Sequence, residues 1–190
     1  MYRINEIFYS LQGEGFWTGT PMVFVRFSGC NLKCPFCDTD HSGYREMRAE
    51  EIVDEVVKVG GGCGRVCVTG GEPSLQLDDL LVNALHRAGF KVHAETNGTR
   101  ALPKGVDWVT VSPKIDVDGL KGDGTVVLEN ADEVKVVYLG KDVEKWAAFP
   151  AKWHFLQPCS CMNTAETVDY IQAHPRWRLS LQTHKYLNIR

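Results

Sequence analysis

The stretch MVFVRFSGCNLKCPFCDT, residues 22–39, joins two kinds of sequence. Residues 22–27 are β-branched, aromatic and apolar apart from Arg26, the composition of a buried strand. Beyond Phe27 the composition is that of a loop: Asn31, Lys33, Pro35 and Asp38 do not suit a core strand. Within it stand Cys30, Cys34 and Cys37, spaced C-x3-C-x2-C. A strand that runs directly into a loop bearing reactive side chains is the unit from which the rest of the chain is built.

That unit recurs. RVCVT (65–69) ends at GGEP, FKVHAET (90–96) at NG and DWVTV (107–111) at SPK. DEVKVVY (132–138) is another strand, WHFLQ (153–157) ends at Pro158, and WRLSLQ (177–182) ends at THK. Helical patterns lie between them. AEEIVDEVVKVG (49–60) sets Ile52, Val53, Val56, Val57 and Val59 largely on one side, with carboxylates in its first turns. LDDLLVNALHRAG (77–89) is amphipathic and closed by Gly89. NTAETVDYIQAH (163–174) opens at an Asn163 or Thr164 cap, and a short helix is expected around Val143–Phe149.

Alternating strands and helices predict parallel pairing with right-handed crossovers. In barrel-like α/β folds the loops after the strands build the active site, so these motifs are expected to meet on one face. A full eight-unit barrel takes about 250 residues. The chain has 190, so the expected fold is α/β: an incomplete, open TIM-like barrel of about six parallel strands with few covering helices, one domain spanning 1–190.

With 44% hydrophobic and 24% charged residues the composition is that of a globular protein, and a net charge of −3 gives no footprint for nucleic acid. No apolar run approaches bilayer length, and MYRINEIFYS lacks the basic start and apolar block of a signal peptide. The expected location is the cytoplasm, with no membrane partner. There thiols stay reduced, and clustered cysteines point to metal or redox chemistry. The seven cysteines are an odd number, which argues against a complete disulfide framework.

Three thiols within eight residues admit two metal readings. A 4Fe–4S cluster held by three cysteines keeps one iron open for a small ligand. Alternatively, His41 completes a closed Cys3His zinc site. Cys67 in its strand reads as a small hydrophobe, as does Cys63 among its glycines. Cys159 and Cys161 have the makings of auxiliary ligands but are too few to complete a second cluster. TGGEP (69–73) is either a plain tight turn or a turn whose glycines admit a ligand close to the backbone, with Glu72 accepting from an ammonium group. SPK (112–114) offers a hydroxyl and a cation, or a solvated lysine. In SLQGEG (10–15), Gln12 and Glu14 together can read the N–H and NH2 edge of a guanine-like or pterin ring, and Arg26 can pair with an anionic group. The alternative there is a surface loop and a structural ion pair.

Taken together, the cysteine motif and TGGEP resemble the radical S-adenosylmethionine superfamily. The string SLQGEG…GTPMVFVRFSGCNLKCPFCDT, with ETNG, SPK, LQP and the C-terminal LSLQTHKYLNIR, is similar to the 7-carboxy-7-deazaguanine synthase family over nearly the whole chain. The resemblance implies a single radical SAM domain in which Cys30, Cys34 and Cys37 hold a 4Fe–4S cluster. It implies S-adenosylmethionine contacts at Phe36, Cys37, Asp38, Gly70, Gly71, Glu72, Ser112, Pro113, Lys114 and Gln157, and Mg2+ at Thr39. It implies substrate contacts at Leu11, Gln12, Gly13, Glu14, Arg26, Gly29 and Thr69, with the C-terminal carboxylate of Arg190 reaching the same site. No residue of the chain is expected to carry the radical.

The implied reaction is a carbon–nitrogen lyase step in queuosine and 7-deazapurine biosynthesis. A hydrogen atom is abstracted from C6 of 6-carboxy-5,6,7,8-tetrahydropterin, the ring contracts with loss of ammonia, and 7-carboxy-7-deazaguanine forms. An external electron donor such as flavodoxin and a homodimer are also implied. Two features depart from the family: the chain is short, and Cys159-Ser160-Cys161 matches no family role. The nearest rival is an activating enzyme for a glycyl radical enzyme, which has no need of SLQGEG and Arg26. A zinc-binding interaction module is a rival of another class.

Overall fold

The structure, a computed structural model, describes residues 1–40 and 43–190. Nine strands form one sheet, and its first and last members do not pair with each other, so the barrel is open. Seven strands run parallel in the order β2 (Pro21–Phe27), β4 (Arg65–Gly70), β5 (Lys91–Thr96), β6 (Trp108–Val111), β7 (Ala131–Tyr138), β8 (Ala151–Pro158) and β9 (Arg178–Leu179). Every expected strand is present, although the last is only two residues long.

Two strands were not expected. β1 (Tyr2–Leu11) pairs antiparallel with β2, and β3 (Arg45–Met47) pairs antiparallel with β1. The register of β1 against β2 shifts between Ile4 and Glu6. That irregularity breaks the two-residue alternation by which a half-buried strand is recognised.

Helices α1 (Ala49–Gly60) and α2 (Asp79–Arg87) cover the first half of the sheet, and Ile52, Val56, Leu81 and Leu85 are fully buried against β2, β4 and β5. At the start of α1 the Glu51 carboxylate accepts the Arg48 N–H, and Asp78 caps α2 by accepting the Leu81 N–H. The second half is covered by α3 (Glu144–Ala147) and α4 (Thr164–Ala173). Among the described residues, no helix stands between β5 and β6 or between β6 and β7. Asn163 flanks α4, but its side chain is used elsewhere: it accepts the Cys159 N–H and donates to the Tyr138 carbonyl. After β9 the chain forms α5 (Thr183–Leu187), where the sequence suggested only a strand end. Among the described residues, no helix is long and apolar enough to cross a membrane.

The inner face has a dry floor. Phe24, Cys67, His93 and Trp108 lie side by side across β2, β4, β5 and β6. Phe16 stacks on Trp108 and tilts against Trp153, and Trp17 meets Trp108 edge-on. Burial and the nearby Arg65 guanidinium push His93 down to about 4, so it is neutral at physiological pH. Above this floor lies the cavity.

Candidate active site

A cavity of about 540 Å³ opens at the C-terminal ends of the parallel strands. It gathers the loops that the alternation of strands and turns places on one face. One wall carries Cys30, Cys34, Phe36, Cys37, Asp38 and Thr39. Gly70 and Gly71 follow β4, Ser112 and Lys114 follow β6, and Gln157 ends β8. Leu11, Gln12, Gly13, Glu14, Arg26, Thr69 and Arg190 line the same cavity.

The three cysteines are free thiols. Burial raises Cys30 and Cys34, while the Lys114 ammonium works to lower Cys34. Among the described residues, no three His, Cys, Asp or Glu side chains converge on one point as a single-ion site requires. A cubane cluster makes a different demand, because each thiolate takes its own iron and the sulfurs need only face a common space. His41, the fourth ligand of the zinc alternative, lies outside the described residues.

The glycine turn is packed without slack. A Cβ on Gly71 would stand 2.1 Å from the Gly29 carbonyl oxygen, and one on Gly70 would stand 2.2 Å from that of Phe27. Backbone bonds from Gly71 N to Phe27 O (3.1 Å) and from Glu72 N to Gly29 O (2.9 Å) hold this turn against the base of the cysteine loop. The TGGEP turn and the cysteine loop thus form one cradle. The Lys114 ammonium donates to the Ser112 carbonyl and hydroxyl at 2.7 and 2.6 Å, and burial pushes it down to about 8. The thiols, the cradle and this cation fit an anionic cluster with a ligand seated against backbone.

Three of the expected contacts are placed away from the lining. Glu72 is fully buried, and its carboxylate accepts from Ser74 N, Thr96 Oγ1 and Asn97 N at 2.9, 2.6 and 2.7 Å. Its acceptor capacity goes to bracing the strand ends rather than to an ammonium group in the cavity. Pro113 is buried between Ser112 and Lys114, and Gly29 meets the Glu72 N–H through its carbonyl. Asp38 lines the cavity and pairs with Lys185 at 2.6 Å. Arg26 pairs through Nε with Glu6 at 2.8 Å, and the Arg190 guanidinium pairs with the same carboxylate.

On the substrate side the structure adds residues that the motifs did not single out. Lys135, on β7, has a side chain only 5% exposed; it is ion-paired with Glu14 and stands 3.6 Å from Glu95. Gln12 Nε2 donates to Glu95 at 3.0 Å and Gln12 Oε1 accepts the Glu14 N–H at 3.1 Å, so the Gln12 carboxamide serves to brace the loop. Gln182 donates to Glu14 at 2.9 Å. Burial works to raise the Glu14 carboxyl, but the Lys135 ammonium and the Gln182 amide hold it down at about 2. Burial pushes the neighbouring Glu133 up to about 7. The signal for Lys135, Glu133 and Glu95 was present in the sequence, as charged residues inside otherwise apolar strands.

Glu133 accepts the Phe16 N–H at 3.0 Å, a bond that a glutamine oxygen can also accept. A carboxyl raised by folding stabilises below its unfolded pKa and loses that contribution as pH rises through its folded value. Glu133→Gln should therefore flatten the fall in stability between about pH 4.5 and pH 7. It should be more stable than the parent at pH 8 by about 1–3 kcal/mol. Thermal melts of both proteins across that range check this. A variant less stable than the parent at pH 8 would contradict it.

Comparison with known proteins agrees with the site. The model for "Radical SAM superfamily" matches residues 24–119, from β2 through the cysteine loop and the cradle to the SPK loop. The chain belongs to the radical SAM superfamily. Relatives along the full length narrow this. It is 57% identical to the 7-carboxy-7-deazaguanine synthase of Bacteroides thetaiotaomicron over 190 residues, covering 100% of both chains. It is 42% identical to that of Caulobacter vibrioides, covering 99% of each. The crystal structure of QueE from Escherichia coli superimposes with a TM-score of 0.80 at 30% identity, covering 95% of this chain and 93% of that one. Within the superfamily the chain belongs to the 7-carboxy-7-deazaguanine synthase family.

Proposed function

We propose that the chain converts 6-carboxy-5,6,7,8-tetrahydropterin to 7-carboxy-7-deazaguanine with loss of ammonia, all of residues 1–190 acting as one radical SAM unit. The observation that carries this reading is one cavity with two chemistries. Thiols and a glycine cradle line one part of it, and a carboxylate network for a polar heterocycle lines another.

When bound to Cys30, Cys34 and Cys37, the cluster with S-adenosylmethionine supplies abstraction of a hydrogen atom from C6 of the substrate. The chain's own residues bind, orient and exclude water. Gly70 and Gly71 seat the methionine end of the cofactor by close backbone approach. Lys114 supplies positive charge beside the thiolates, and Gln157, Ser112 and Phe36 flank the remainder. Thr39 would contribute a hard oxygen to Mg2+, which would supply positive charge for the substrate carboxylate. Glu14 and Glu95 accept from the N–H and NH2 edge of the pterin, and Lys135 keeps Glu14 ionised for that task. Arg26 offers a cation to the substrate's anionic group, and the C-terminal carboxylate of Arg190, whose backbone oxygen accepts the Ser10 hydroxyl, reaches the substrate side. Phe16, Trp17 and Trp108 pack together as an aromatic cluster at the other end of the strands from the cysteine loop.

The electron comes from an external one-electron donor such as flavodoxin, and the working form is a cytoplasmic homodimer. The electron donor and the homodimer rest on resemblance to the family.

The test is anaerobic incubation of the reduced, reconstituted protein with the carboxytetrahydropterin, S-adenosylmethionine and Mg2+. The expected result is 7-carboxy-7-deazaguanine with one ammonia per turnover. Modification of a partner protein with no deazaguanine product would favour a glycyl-radical activating enzyme instead. A Glu14→Gln variant should weaken substrate binding about tenfold and retain its full iron content. Equal loss of iron would count against the assignment of Glu14.

A further inference from the structure

Glu14 is assigned to the substrate and Gln157 to the cofactor, and their segments meet on one buried atom. Gly15 donates its N–H to Ser180 Oγ at 2.9 Å. The same hydroxyl donates to Gln157 Oε1 at 2.9 Å. Ser180 is 2% exposed and Gln157 4%, so water does not compete for either bond. Ser180 is itself fixed, because its N–H donates to the Leu156 carbonyl at 2.8 Å. With its oxygen held by Ser180, the Gln157 carboxamide keeps its NH2 end for the cavity that it lines. A hydroxyl that accepts one bond and donates another is polarised by each, so strengthening one strengthens the other.

Ser180 makes the buried connection between the two sets of contacts, and the Lys185–Asp38 pair on the same C-terminal segment is a more exposed one. Gln182 donates to Glu14 and Thr183 donates to the Gly13 carbonyl, so both hold the 12–15 loop. Neither of these two bonds reaches Gln157 or another residue on the cofactor side of the cavity. The Ser180 hydroxyl bonds to both sides.

Resting on the assignment of the two sides made above, we propose that Ser180 is a positioning residue that couples substrate binding to cofactor binding. A substrate held by Glu14 fixes the Gly15 N–H, which orients the Ser180 hydroxyl. That in turn locks the Gln157 amide in the rotamer that contacts the cofactor. Linkage makes the effect reciprocal.

The test is calorimetric titration, without oxygen, of the reconstituted protein. S-adenosylhomocysteine serves as a non-reacting cofactor probe and the carboxytetrahydropterin as the substrate. In the parent protein each ligand should tighten the other by about fivefold or more. Ser180→Ala should bring that factor to about one. Thr183→Ala should weaken substrate binding alone and keep the parent's coupling factor. Ser180→Cys, which preserves the shape with a weaker donor, should give an intermediate factor and guards against a folding failure of the alanine variant. Retention of full coupling in Ser180→Ala, or equal loss in Thr183→Ala, would overturn the proposal while leaving the functional reading intact. Failure of either ligand to bind the parent protein would overturn both.

Discussion

Lys135→Met is expected to lower substrate affinity about a hundredfold while the iron content stays at the parent level. Lys135 is the cation between Glu14 and Glu95, and its field also reaches Glu133. Methionine matches its length and fills its space but leaves the three carboxylates without that charge. Removing one member of a buried ion pair costs about 3–5 kcal/mol, because the partner stays buried and uncompensated. For a chain of this size the melting temperature should fall by about 10 °C. None of the contacts of Lys135 involves the three thiols, which should still assemble a cluster, so iron content separates this loss from general misfolding.

The pH dependence sharpens the prediction. In the parent, Glu14 is depressed to about 2, so its contribution to stability is present above the unfolded value near 4.5 and is lost as pH falls from there. In Lys135→Met the remaining influence of burial raises Glu14 above its unfolded value. Its contribution is then present at low pH and lost as pH rises through the new value. The gap in melting temperature between parent and variant should therefore narrow from pH 8 to pH 5. A gap that widens on acidification would show that Lys135 does not hold Glu14 ionised.

These residues show where sequence reading is strong and where it stops. The parallel strands, α1 and α2 were legible because apolar runs, amphipathic spacing and glycine stops all agreed over their lengths. The cavity wall of cysteines, glycines and SPK was legible because each motif follows a strand, and parallel topology alone brings strand ends together. β1 was not, because the register shift at Ile4 and Glu6 spoils its alternation. WRLSLQ read as a strand to residue 182, but only Arg178 and Leu179 pair. Ser180 and Gln182 turn instead toward Gly15 and Glu14. Those bonds join residues more than 160 positions apart, and no local pattern encodes them. Glu72 shows the converse: its motif was found, but three internal donors decide what its carboxylate does.

Gly71→Ala is expected to strip the protein of iron. Its Cβ would lie 2.1 Å from the Gly29 carbonyl oxygen, 2.5 Å from the Gly29 carbon and 3.0 Å from the Cys30 nitrogen. All three are backbone atoms, so no side-chain rotation relieves the clash. Either the 27–30 segment moves away or the turn unbends, and both break the bonds from Gly71 to Phe27 and from Glu72 to Gly29. Cys30 then leaves the space that it shares with Cys34 and Cys37, and a cluster left with two thiolates is not retained. Gly64→Ala is the control, since nothing lies within 4 Å of the added atom there. After anaerobic reconstitution, Gly64→Ala should carry the parent's iron and brown colour. Gly71→Ala should be nearly colourless, with at least a roughly tenfold loss of bound iron and no measurable binding of S-adenosylmethionine. Full iron in Gly71→Ala with loss of S-adenosylmethionine binding alone would limit the cradle's role to the cofactor. Full retention of both would mean that the close approach of the two loops does not seat Cys30.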